Sequence, residues 1–496
     1  MGGSRRNGAS VVNEPMTTHS AGTGLLPTFR DPSGTLVLEP DRALRYLTED
    51  GYSTLTAFLD SELAARLMDA GSIVATRKLG APGDGVPLAP MVDAHRDFVH
   101  VVEHARIPFV TYPCEWSLEQ LFDAATLTLD LAEQALTHGF VLKDATPYNI
   151  VFDNAKPVFV DVPSFVRRDP AATAWIAGGQ FTRQFLLPLL AHKLGVSRIQ
   201  NIYLTHRDGM EATELRSLPG LAKLFRRGYF SLVLVPLLLE RFSGSGPLTP
   251  KWEPQTASAE KAEYTMQWLL RSFRRQLRAV EPKRQVSTHW ATYQRQVPSY
   301  SPEEFAAKRR FVEESTGIAS PRRVLDIGCN EGLFSQAAAA HGASVVAFDQ
   351  DAGVIGALYR KAHEDGSSIL PLVLDLGRST PAHGWRSREY ASFLDRARGN
   401  FNLVMALAVL HHMLVTDGVP LGDALEFFAE LTTDHLLLEY VDPKDNHFRA
   451  LVRGRESIHE YLTRERFELH VAERFAIVRA LEVKAGLRWI YLLKKR

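Results

Sequence analysis

Short apolar runs alternate with longer amphipathic segments from residue 321 to the end of the chain. Five runs are candidates for buried parallel strands, and two longer segments after them predict a closing antiparallel pair. The runs are 324–327, 344–348, 369–374, 401–406 and 435–440, and the pair is 475–483 with 487–494. Because strands that alternate with helices form parallel sheets, we expect a seven-stranded, doubly wound α/β sheet here.

The first half of the chain has a pattern typical of an α+β module. Strand-like runs occur at 35–39, 72–76 and 98–102, and helical periods at 52–70, 117–138, 181–194, 225–242 and 260–280. The helix at 117–138 ends at Gly139, a common helix terminator, and glycines and serines at 243–247 mark a break. We predict a disordered leader at 1–28, an α+β module at 29–245, a helical linker at 246–302 and an α/β domain at 303–496.

Composition narrows the class of protein. The chain has 496 residues, 45% of them hydrophobic, and its formal net charge is zero, so no nucleic-acid partner is expected. The two cysteines, Cys114 and Cys329, lie far apart without metal-ligand spacing, which predicts a reducing, cytoplasmic location and no metal site. The most apolar segment, Phe230 to Leu239, is about half the length of a membrane span, so no span is expected. The oligomeric state stays open.

The strongest local signal is the stretch from Arg323 to Ser335, which predicts a buried strand, a glycine turn and a helix start. Gly328 and Gly332 bracket the turn, where a side chain would keep a ligand away from the backbone. Asp349 ends the second strand, 23 residues after Asp326, and an acidic side chain there can accept both hydroxyls of a ribose. The pattern therefore predicts a site for an adenosine-bearing cofactor.

These residues carry a resemblance to a known family. The segment Asp326-Ile327-Gly328-Cys329-Asn330-Glu331-Gly332, with Asp349 and the step from Leu407 to His412, resembles class I S-adenosylmethionine-dependent methyltransferases. From about Pro282 onward the chain is similar to large bacterial methyltransferases of the nodulation host-specificity type, and the segment from Trp385 to Glu389 belongs to that likeness. The resemblance implies S-adenosyl-L-methionine as cofactor and a small-molecule or carbohydrate-linked acceptor.

The resemblance also implies roles for individual residues. Gly328 and Gly332 would admit the amino acid end of the cofactor, Asp326 would orient its ammonium, and Asp349 would hold the ribose. Asp375 would lie near the adenine amino group. The other predicted cofactor residues are Cys329, Asn330, Ala406 and Leu407, of which the last two would wall the methionine chain.

A general base is needed only where the acceptor must lose a proton. The candidates are His411 and His412 after the fourth strand and Glu439 and Asp442 at the fifth, on the usual substrate side of such a sheet. Each candidate can also be explained without a catalytic role. One histidine of such a pair usually faces the core. Glu439 and the nearby Asp442 would instead bind the acceptor or order the loop.

A second resemblance lies in the first half, between about Glu103 and Phe165. Asp144, Asn149 five residues later, a short hairpin and Asp161 at a strand end resemble the catalytic loop and metal-binding Asp of the protein-kinase-like fold. Lys143 stands where that family has Arg, and Val162-Pro163 follows Asp161 in place of Phe-Gly.

The function of this kinase-like module is open at this stage. One alternative is an active, ATP-dependent phosphotransferase, and another is a module for substrate binding or regulation. Lys78 is the candidate for the family's strand lysine. Asp144, Asn149 and Asp161 are also residue types that cap turns.

Overall fold

The computed structural model describes residues 24–25, 30–83, 97–216, 228–238, 258–283, 300–454, 456–459 and 461–496. The predicted break at 243–247, most of the predicted leader and part of the predicted helix at 225–242 lie outside these residues. Within the stretch predicted as leader, Gly24–Leu25 forms a short strand, β1.

The first half begins with a five-stranded antiparallel sheet. Its other strands are β2 (Gly34–Leu38), β3 (Arg42–Leu47), β4 (Thr76–Gly80) and β5 (His100–Ala105), in the order β1-β2-β3-β5-β4. The helix predicted at 52–70 is instead two helices, α1 (Glu49–Leu59) and α2 (Glu62–Asp69). They separate because the Ser61 hydroxyl caps the second helix by accepting the Ala64 N–H. The strand predicted at 72–76 is found only in part, since Ile73 forms an isolated bridge with Phe159 and the β4 ladder begins at Thr76.

A helical part follows this sheet. It contains α3 (Leu118–Thr137), α4 (Gly178–Phe181), a π-helical turn (Thr182–Leu186), α5 (Leu187–Lys193), α6 (Ile199–Thr205), α7 (Ala212–Arg216), a second π turn (Phe230–Leu234) and α8 (Ala259–Ala279). Two small antiparallel strand pairs lie beside α3: β6 (Phe140–Leu142) with β9 (Phe165–Arg167), and the hairpin of β7 (Ile150–Asp153) with β8 (Lys156–Phe159). Helix α8, which falls in the predicted linker, packs on α3 through ion pairs from Arg274 to Asp130 and Glu133.

The second half is built on one seven-stranded sheet. Its strands are β10 (Arg323–Ile327), β11 (Ser344–Asp349), β12 (Ile369–Val373), β13 (Phe401–Ala406), β14 (Thr432–Val441), β15 (Phe475–Lys484) and β16 (Arg488–Lys495). The order is β12-β11-β10-β13-β14-β16-β15, and β16 runs antiparallel to both its neighbours. The predicted doubly wound sheet and its closing antiparallel pair are confirmed.

Helices cover both faces of that sheet. They are α9 (Pro302–Ala319), α10 (Leu333–Ala340), α11 (Ala352–Asp365), α12 (Phe393–Ala397), α13 (Leu410–Val415), α14 (Leu421–Leu431), α15 (Asn446–Val452), α16 (Glu456–His459) and α17 (Arg464–Ala472). Helix α9 starts with a capping box between Ser301 and Glu304.

The two halves share buried contacts. The Phe109 ring lies 6.0 Å from the Phe393 ring, and the Tyr359 hydroxyl donates to Asp123 Oδ2 at 2.7 Å. Apolar side chains from both halves belong to one continuous buried cluster. Among the described residues, no helix combines the length and the apolarity needed to cross a membrane.

Candidate functional site

The turn after β10 has a backbone that favours glycine at two positions. Gly328 and Gly332 lie in the left-handed region, with φ of 68° and 76°. A Cβ atom added to Gly332 would clash with the Leu358 side chain, and one on Gly328 would lie 2.8 Å from Val409 Cγ2. Helix α11 and the loop after β13 therefore fix this turn from two sides, and a larger residue would shift one of them.

Asp349, at the end of β11, is bonded to the same turn. Its Oδ2 accepts the backbone N–H of Asn330 at 3.1 Å, and its Oδ1 accepts that of Asp351 at 3.0 Å. Burial raises the pKa of Asp349, and the two backbone donors act in the opposite direction. The carboxylate is thereby held in one orientation beside the turn.

Asp326 lies beneath the turn and is only 3% exposed. Its Oδ2 accepts the Ser335 hydroxyl at 2.5 Å. Burial raises the pKa of Asp326 to about 7, although the bond from Ser335 opposes the rise. The charge of this carboxyl group is therefore sensitive to pH and to any cation near neutrality.

Strand register brings the remaining predicted cofactor residues to one edge of the sheet. Ile327 pairs with Phe348 on one side and with Ala406 on the other. Asp375 follows β12 and accepts the Gly377 N–H at 3.0 Å. Cys329, Ala406 and Leu407 are all buried. The predicted set is therefore collected along the carboxyl ends of four parallel strands, while the role of each residue stays a prediction.

Ala408 is a feature of this edge that the sequence did not reveal. It has a φ of 58°, although it is not glycine, and it lies directly after Leu407 in the loop that packs on Gly328. A residue with a Cβ atom is uncommon in this region and carries some strain there. The loop between β13 and α13 is thus held in an unusual conformation next to the predicted methionine chain.

His411 and His412 lie at the start of α13 with their ring centroids 4.3 Å apart. His411 is buried, and its Nδ1 has no hydrogen-bond partner among the described residues, whereas His412 is half-buried. Burial lowers the pKa of both rings, and the proximity of His412 lowers that of His411 further. Both imidazoles are therefore neutral at pH 7, the form in which a histidine can accept a proton.

Glu439 is fully buried and already paired. Its Oε2 accepts Lys308 Nζ at 2.6 Å, its Oε1 lies 3.3 Å from Arg488 Nη1, and the Tyr300 hydroxyl donates to it. Burial alone would raise the pKa of Glu439, but Lys308 and Arg488 outweigh it and the pKa falls. Asp445 in turn accepts two hydrogen bonds from Arg488, one from Nε and one from Nη2, each at 2.9 Å. Sequence reasoning singled out Glu439 and missed Lys308, Arg488 and Asp445, because nothing local in their segments marks them.

Comparisons with known proteins identify the domain that carries this site. Residues 293–487 match the family model described as a methyltransferase domain. We refer to this part of the chain as the methyltransferase domain. The chain is also similar to the nodulation protein NoeA of Rhizobium meliloti (strain 1021), with 27% identity over 470 residues that cover 94% of this chain and 95% of the relative.

Two solved structures are also similar to parts of the chain. One is the bifunctional kinase-methyltransferase WbdD, with 17% identity, a TM-score of 0.28, and coverage of 43% of this chain and 44% of that one. The other is the N-methyltransferase NodS of Bradyrhizobium japonicum WM9 in complex with S-adenosyl-L-homocysteine, with 13% identity, a TM-score of 0.30, and coverage of 42% and 93%.

The first half holds a cavity of about 630 Å³. Asp144, Asn149 and Asp161, which the sequence predicts to act together, all line it. The backbone N–H of Asp144 donates to Ser164 Oγ at 3.2 Å, and this bond fixes the loop. Glu389 and Tyr390 of the methyltransferase domain complete the lining.

The basic residue facing Asp161 is Arg45 on β3. Its Nη2 lies 3.4 Å from Asp161 Oδ1, and its Nη1 lies 3.0 Å from Asp31 Oδ2. Lys78, the residue predicted for this position, is instead turned to Asp60 on the outside, 2.6 Å away. Sequence reasoning missed Arg45 because a basic residue inside a short apolar strand has no local signature.

The charge of Asp161, which the kinase-like resemblance would give to a divalent cation, is partly offset by Arg45. Arg45 already supplies a positive charge at one oxygen of Asp161. Burial raises the pKa of Asp161, and Arg45 is the main opposing influence. Among the described residues, no group of three or more His, Cys, Asp or Glu side chains is arranged to hold a metal ion.

Proposed function

We propose that the methyltransferase domain uses S-adenosyl-L-methionine as its methyl donor and binds it along the carboxyl ends of β10 to β13. The observation that carries this proposal is the bond from the Asn330 N–H to Asp349 Oδ2, because it joins the glycine turn to the acidic end of β11. An acidic side chain so placed can accept two ribose hydroxyls. The methyl donor supplies an activated methyl group on a sulfonium.

The proposed roles of the other cofactor residues rest on their positions along this edge of the sheet. Gly328 and Gly332 leave the backbone open to the amino acid end of the donor, and Asp326 beneath them offers a carboxylate to its ammonium. In this proposal Asp375 binds the adenine amino group. Ala406 and Leu407 wall the methionine chain, with Cys329 and Asn330 completing the turn. Most of the rate acceleration comes from alignment of the nucleophile with methyl and sulfur.

We assign the proton acceptor, where one is needed, to the pair of His411 and His412. His412 is the member that a substrate can reach, since His411 is buried. Glu439 serves this site by ordering it, because its carboxylate is already occupied by Lys308 and Arg488. A base must lie within hydrogen-bond reach of the proton that it removes.

The acceptor is a small molecule or a carbohydrate-linked compound in this proposal. The likeness to the nodulation protein NoeA over nearly its whole length supports the class that the sequence resemblance implies. Isotope-labelled S-adenosyl-L-methionine, incubated with the protein and a metabolite extract, is expected to label at least one small molecule with one methyl group. Labelling of macromolecules alone would contradict this class.

Calorimetric titration with S-adenosyl-L-homocysteine tests the donor site. The wild-type protein is expected to bind, and Asp349→Ala is expected to weaken binding at least about tenfold, because it removes the acceptor of two charge-assisted hydrogen bonds. Asp365→Ala is the matched control, since it removes an exposed carboxylate at the far end of α11. No binding by the wild type, or equal binding by wild type and Asp349→Ala, would refute the assignment.

We propose a binding or regulatory role for the kinase-like first half. Asp144, Asn149 and Asp161 share one cavity, as an active phosphotransferase requires, but the pairing of Arg45 with Asp161 does not suit a metal-dependent phosphoryl transfer. Magnesium-dependent ATP binding that is lost in Asp161→Ala would restore the phosphotransferase alternative.

A further inference from the structure

Helix α11 lies between the proposed donor site and the first half of the chain. One side of it packs on the glycine turn after β10, and another side faces helix α3 and strand β7. A surface helix normally turns its outer side to water. Tyr359, on the side of α11 that faces the first half, is in contrast 1% exposed. The first half therefore covers a helix that borders the donor site.

The start of α11 is bonded to Asp349. Asp351 Oδ1 caps the helix by accepting the backbone N–H groups of Gly353 and Val354, at 2.9 Å and 3.3 Å. The backbone N–H of Asp351 in turn donates to Asp349 Oδ1 at 3.0 Å. One residue thus begins the helix and holds the carboxylate that we propose for the ribose. A displacement of the start of α11 would move this donor away from Asp349.

The middle of α11 touches both the turn and the first half. The Leu358 side chain is buried and lies where a Cβ atom on Gly332 would clash with it. Tyr359 is the next residue, and successive residues of a helix point about 100° apart. Leu358 therefore packs on the glycine turn, while Tyr359 reaches the first half from the same turn of the helix.

Two carboxylates of α3 hold the outer side of α11. The Tyr359 hydroxyl donates to Asp123 Oδ2 at 2.7 Å, and Arg360 forms an ion pair with Glu119. The two carboxylates are four residues apart and so lie on one side of α3. A Cβ atom added to Gly356, one turn earlier on α11, would collide with the Glu119 carboxylate. The two helices are therefore in close contact over a full turn.

The contact of Tyr359 with the first half is specific in direction. Its ring lies 5.8 Å from the Phe152 ring on β7, at an interplanar angle of 88°. Burial raises the pKa of Asp123, and the bond from Tyr359 is the main opposing influence. Because a buried hydroxyl without a partner costs free energy, the bond to Asp123 favours one position of Tyr359 and hence of α11.

Packing on the sheet is the alternative means of holding α11. Val354, Ile355 and Leu358 are buried on the helix. Apolar burial has no preferred direction, however, and packed helices can slide over one another by small amounts. Hydrogen bonds and ion pairs have a required geometry, so the two carboxylates of α3 can fix the position of α11 more sharply than apolar packing alone.

We propose that Glu119 and Asp123 are positioning residues of the methyl-donor site. They hold α11 against α3 and thereby keep the Asp351 N–H on Asp349 and Leu358 against the glycine turn. Neither carboxylate belongs to the turn or to the strand ends, so both act through α11. Donor binding by the methyltransferase domain then depends on the first half of the chain. The inference rests on the proposed function for the identity of the ligand.

Calorimetric titration of the full chain with S-adenosyl-L-homocysteine tests the proposal. The double variant Glu119→Ala with Asp123→Ala is expected to bind about fivefold more weakly or worse than the wild type, because α11 loses its polar contacts with α3. Glu119→Gln with Asp123→Asn keeps an acceptor oxygen for each donor and is expected to bind within about twofold of the wild type. Tyr359→Phe, which removes one hydroxyl, gives the same test at about threefold should the first double variant not fold.

Asp130→Ala with Glu133→Ala is the matched control. It removes two carboxylates from the same helix, but these pair with Arg274 of α8. Urea denaturation is expected to show lower stability for both alanine double variants, whereas weaker donor binding is expected only for the variant that faces α11. Equal losses of affinity in the two double variants would show a general effect of stability and overturn the proposal. Wild-type affinity in Tyr359→Phe and in the variant that faces α11 would also overturn it.

Amide hydrogen exchange without ligand separates this inference from the proposed function. The amides of Asn330 and Asp351 both donate to Asp349. They are expected to exchange about fivefold faster or more in Glu119→Ala with Asp123→Ala, and at the wild-type rate in the control. Unchanged exchange would overturn the proposal. Faster exchange in a protein whose wild type binds no S-adenosyl-L-homocysteine would refute the proposed function and still support the hold of α3 on Asp349.

Discussion

Lys308 Nζ lies 2.6 Å from Glu439 Oε2, and both side chains are buried in the methyltransferase domain. This pair joins α9, which precedes the sheet, to β14 in its centre. Removing one partner of a buried ion pair leaves the other charge uncompensated, and the loss of stability is larger than the net strength of the pair. The effect of a Glu439 substitution on stability therefore shows whether the role of this residue is structural or catalytic.

Glu439→Gln is expected to lower the free energy of unfolding by about 3–5 kcal/mol, because Lys308 and Arg488 lose their shared carboxylate. Urea denaturation measures this change. Glu314→Gln is the matched control, since Glu314 is exposed and its pair with Arg479 contributes under about 1 kcal/mol. Unchanged stability together with lost methyl transfer would instead make Glu439 the general base.

A second buried ion pair lies between the two halves, and its loss measures how strongly they are joined. Arg396 binds the fully buried Glu115 and also donates to the Val110 carbonyl. Arg396→Met is expected to lower the free energy of unfolding by about 3–5 kcal/mol, since it leaves Glu115 buried and without its cation.

Arg398→Met provides the comparison for this interface. Arg398 follows two residues later and pairs with Glu430 at the surface, so its loss is expected to change stability by under about 1 kcal/mol. Thermal unfolding of both variants gives the measurement. Similar effects of the two substitutions would show that the Arg396 contact does not join the halves.

The cofactor edge could be predicted because its signals are local. Gly328, Gly332 and Asp326 lie in one short stretch, and the backbone there demands glycine for reasons of φ and of packing on Val409 and Leu358. Asp349 follows from the strand spacing. The alternation of apolar runs also fixed the seven strands to within a few residues.

Residues that act across long sequence distances could not be predicted in the same way. Arg45 meets Asp161, and Glu389 reaches Arg207, only once the chain has folded. Lys308 is 131 residues from Glu439, and its segment shows only a helical pattern with a capping box. A charged residue on such a helix is normally solvated, so nothing in the sequence indicated that this one is buried.

The raised pKa of Asp326 predicts a pH dependence of donor binding. Burial brings this pKa to about 7, above the ordinary value of about 3.9 for an aspartate. The ammonium of S-adenosyl-L-homocysteine favours the ionised carboxylate, so binding releases a proton. Affinity is expected to be highest above pH 7 and to fall by up to about tenfold per unit below it.

Calorimetry between pH 5.5 and 7.5 checks this expectation, and Asp326→Asn should remove most of the slope. The stability of the unliganded protein should change with pH in the opposite direction to the affinity. A carboxyl group whose folded pKa lies above its unfolded value lowers stability as pH rises from about 4 to 7. A pH-independent affinity in the wild type would show that Asp326 does not meet the ammonium.

The lowered pKa values of His411 and His412 predict the pH profile of methyl transfer. Both rings are neutral at pH 7 because burial disfavours their charged forms, so the base is already in its active state. With an acceptor that must lose a proton, kcat is expected to stay flat from pH 8 down to the ordinary histidine pKa of about 6.5 and to fall only below it.

His412→Gln is expected to lower kcat by about 10²–10⁴-fold with little change in the affinity for S-adenosyl-L-homocysteine, because it removes a proton acceptor and leaves the donor site intact. His363→Gln is the matched control, since His363 bonds the Ala155 carbonyl at the interface of the halves, away from the acceptor side.

The assay is methyl transfer to the first acceptor found by labelling, with the ring pKa of His412 measured independently by NMR. A wild-type rate that already falls between pH 8 and about pH 6.5, or a His412→Gln variant with full kcat, would exclude His412 as the base. The acidic limb of the profile should move together with the NMR titration, since a rate set by the His412 proton must follow its pKa.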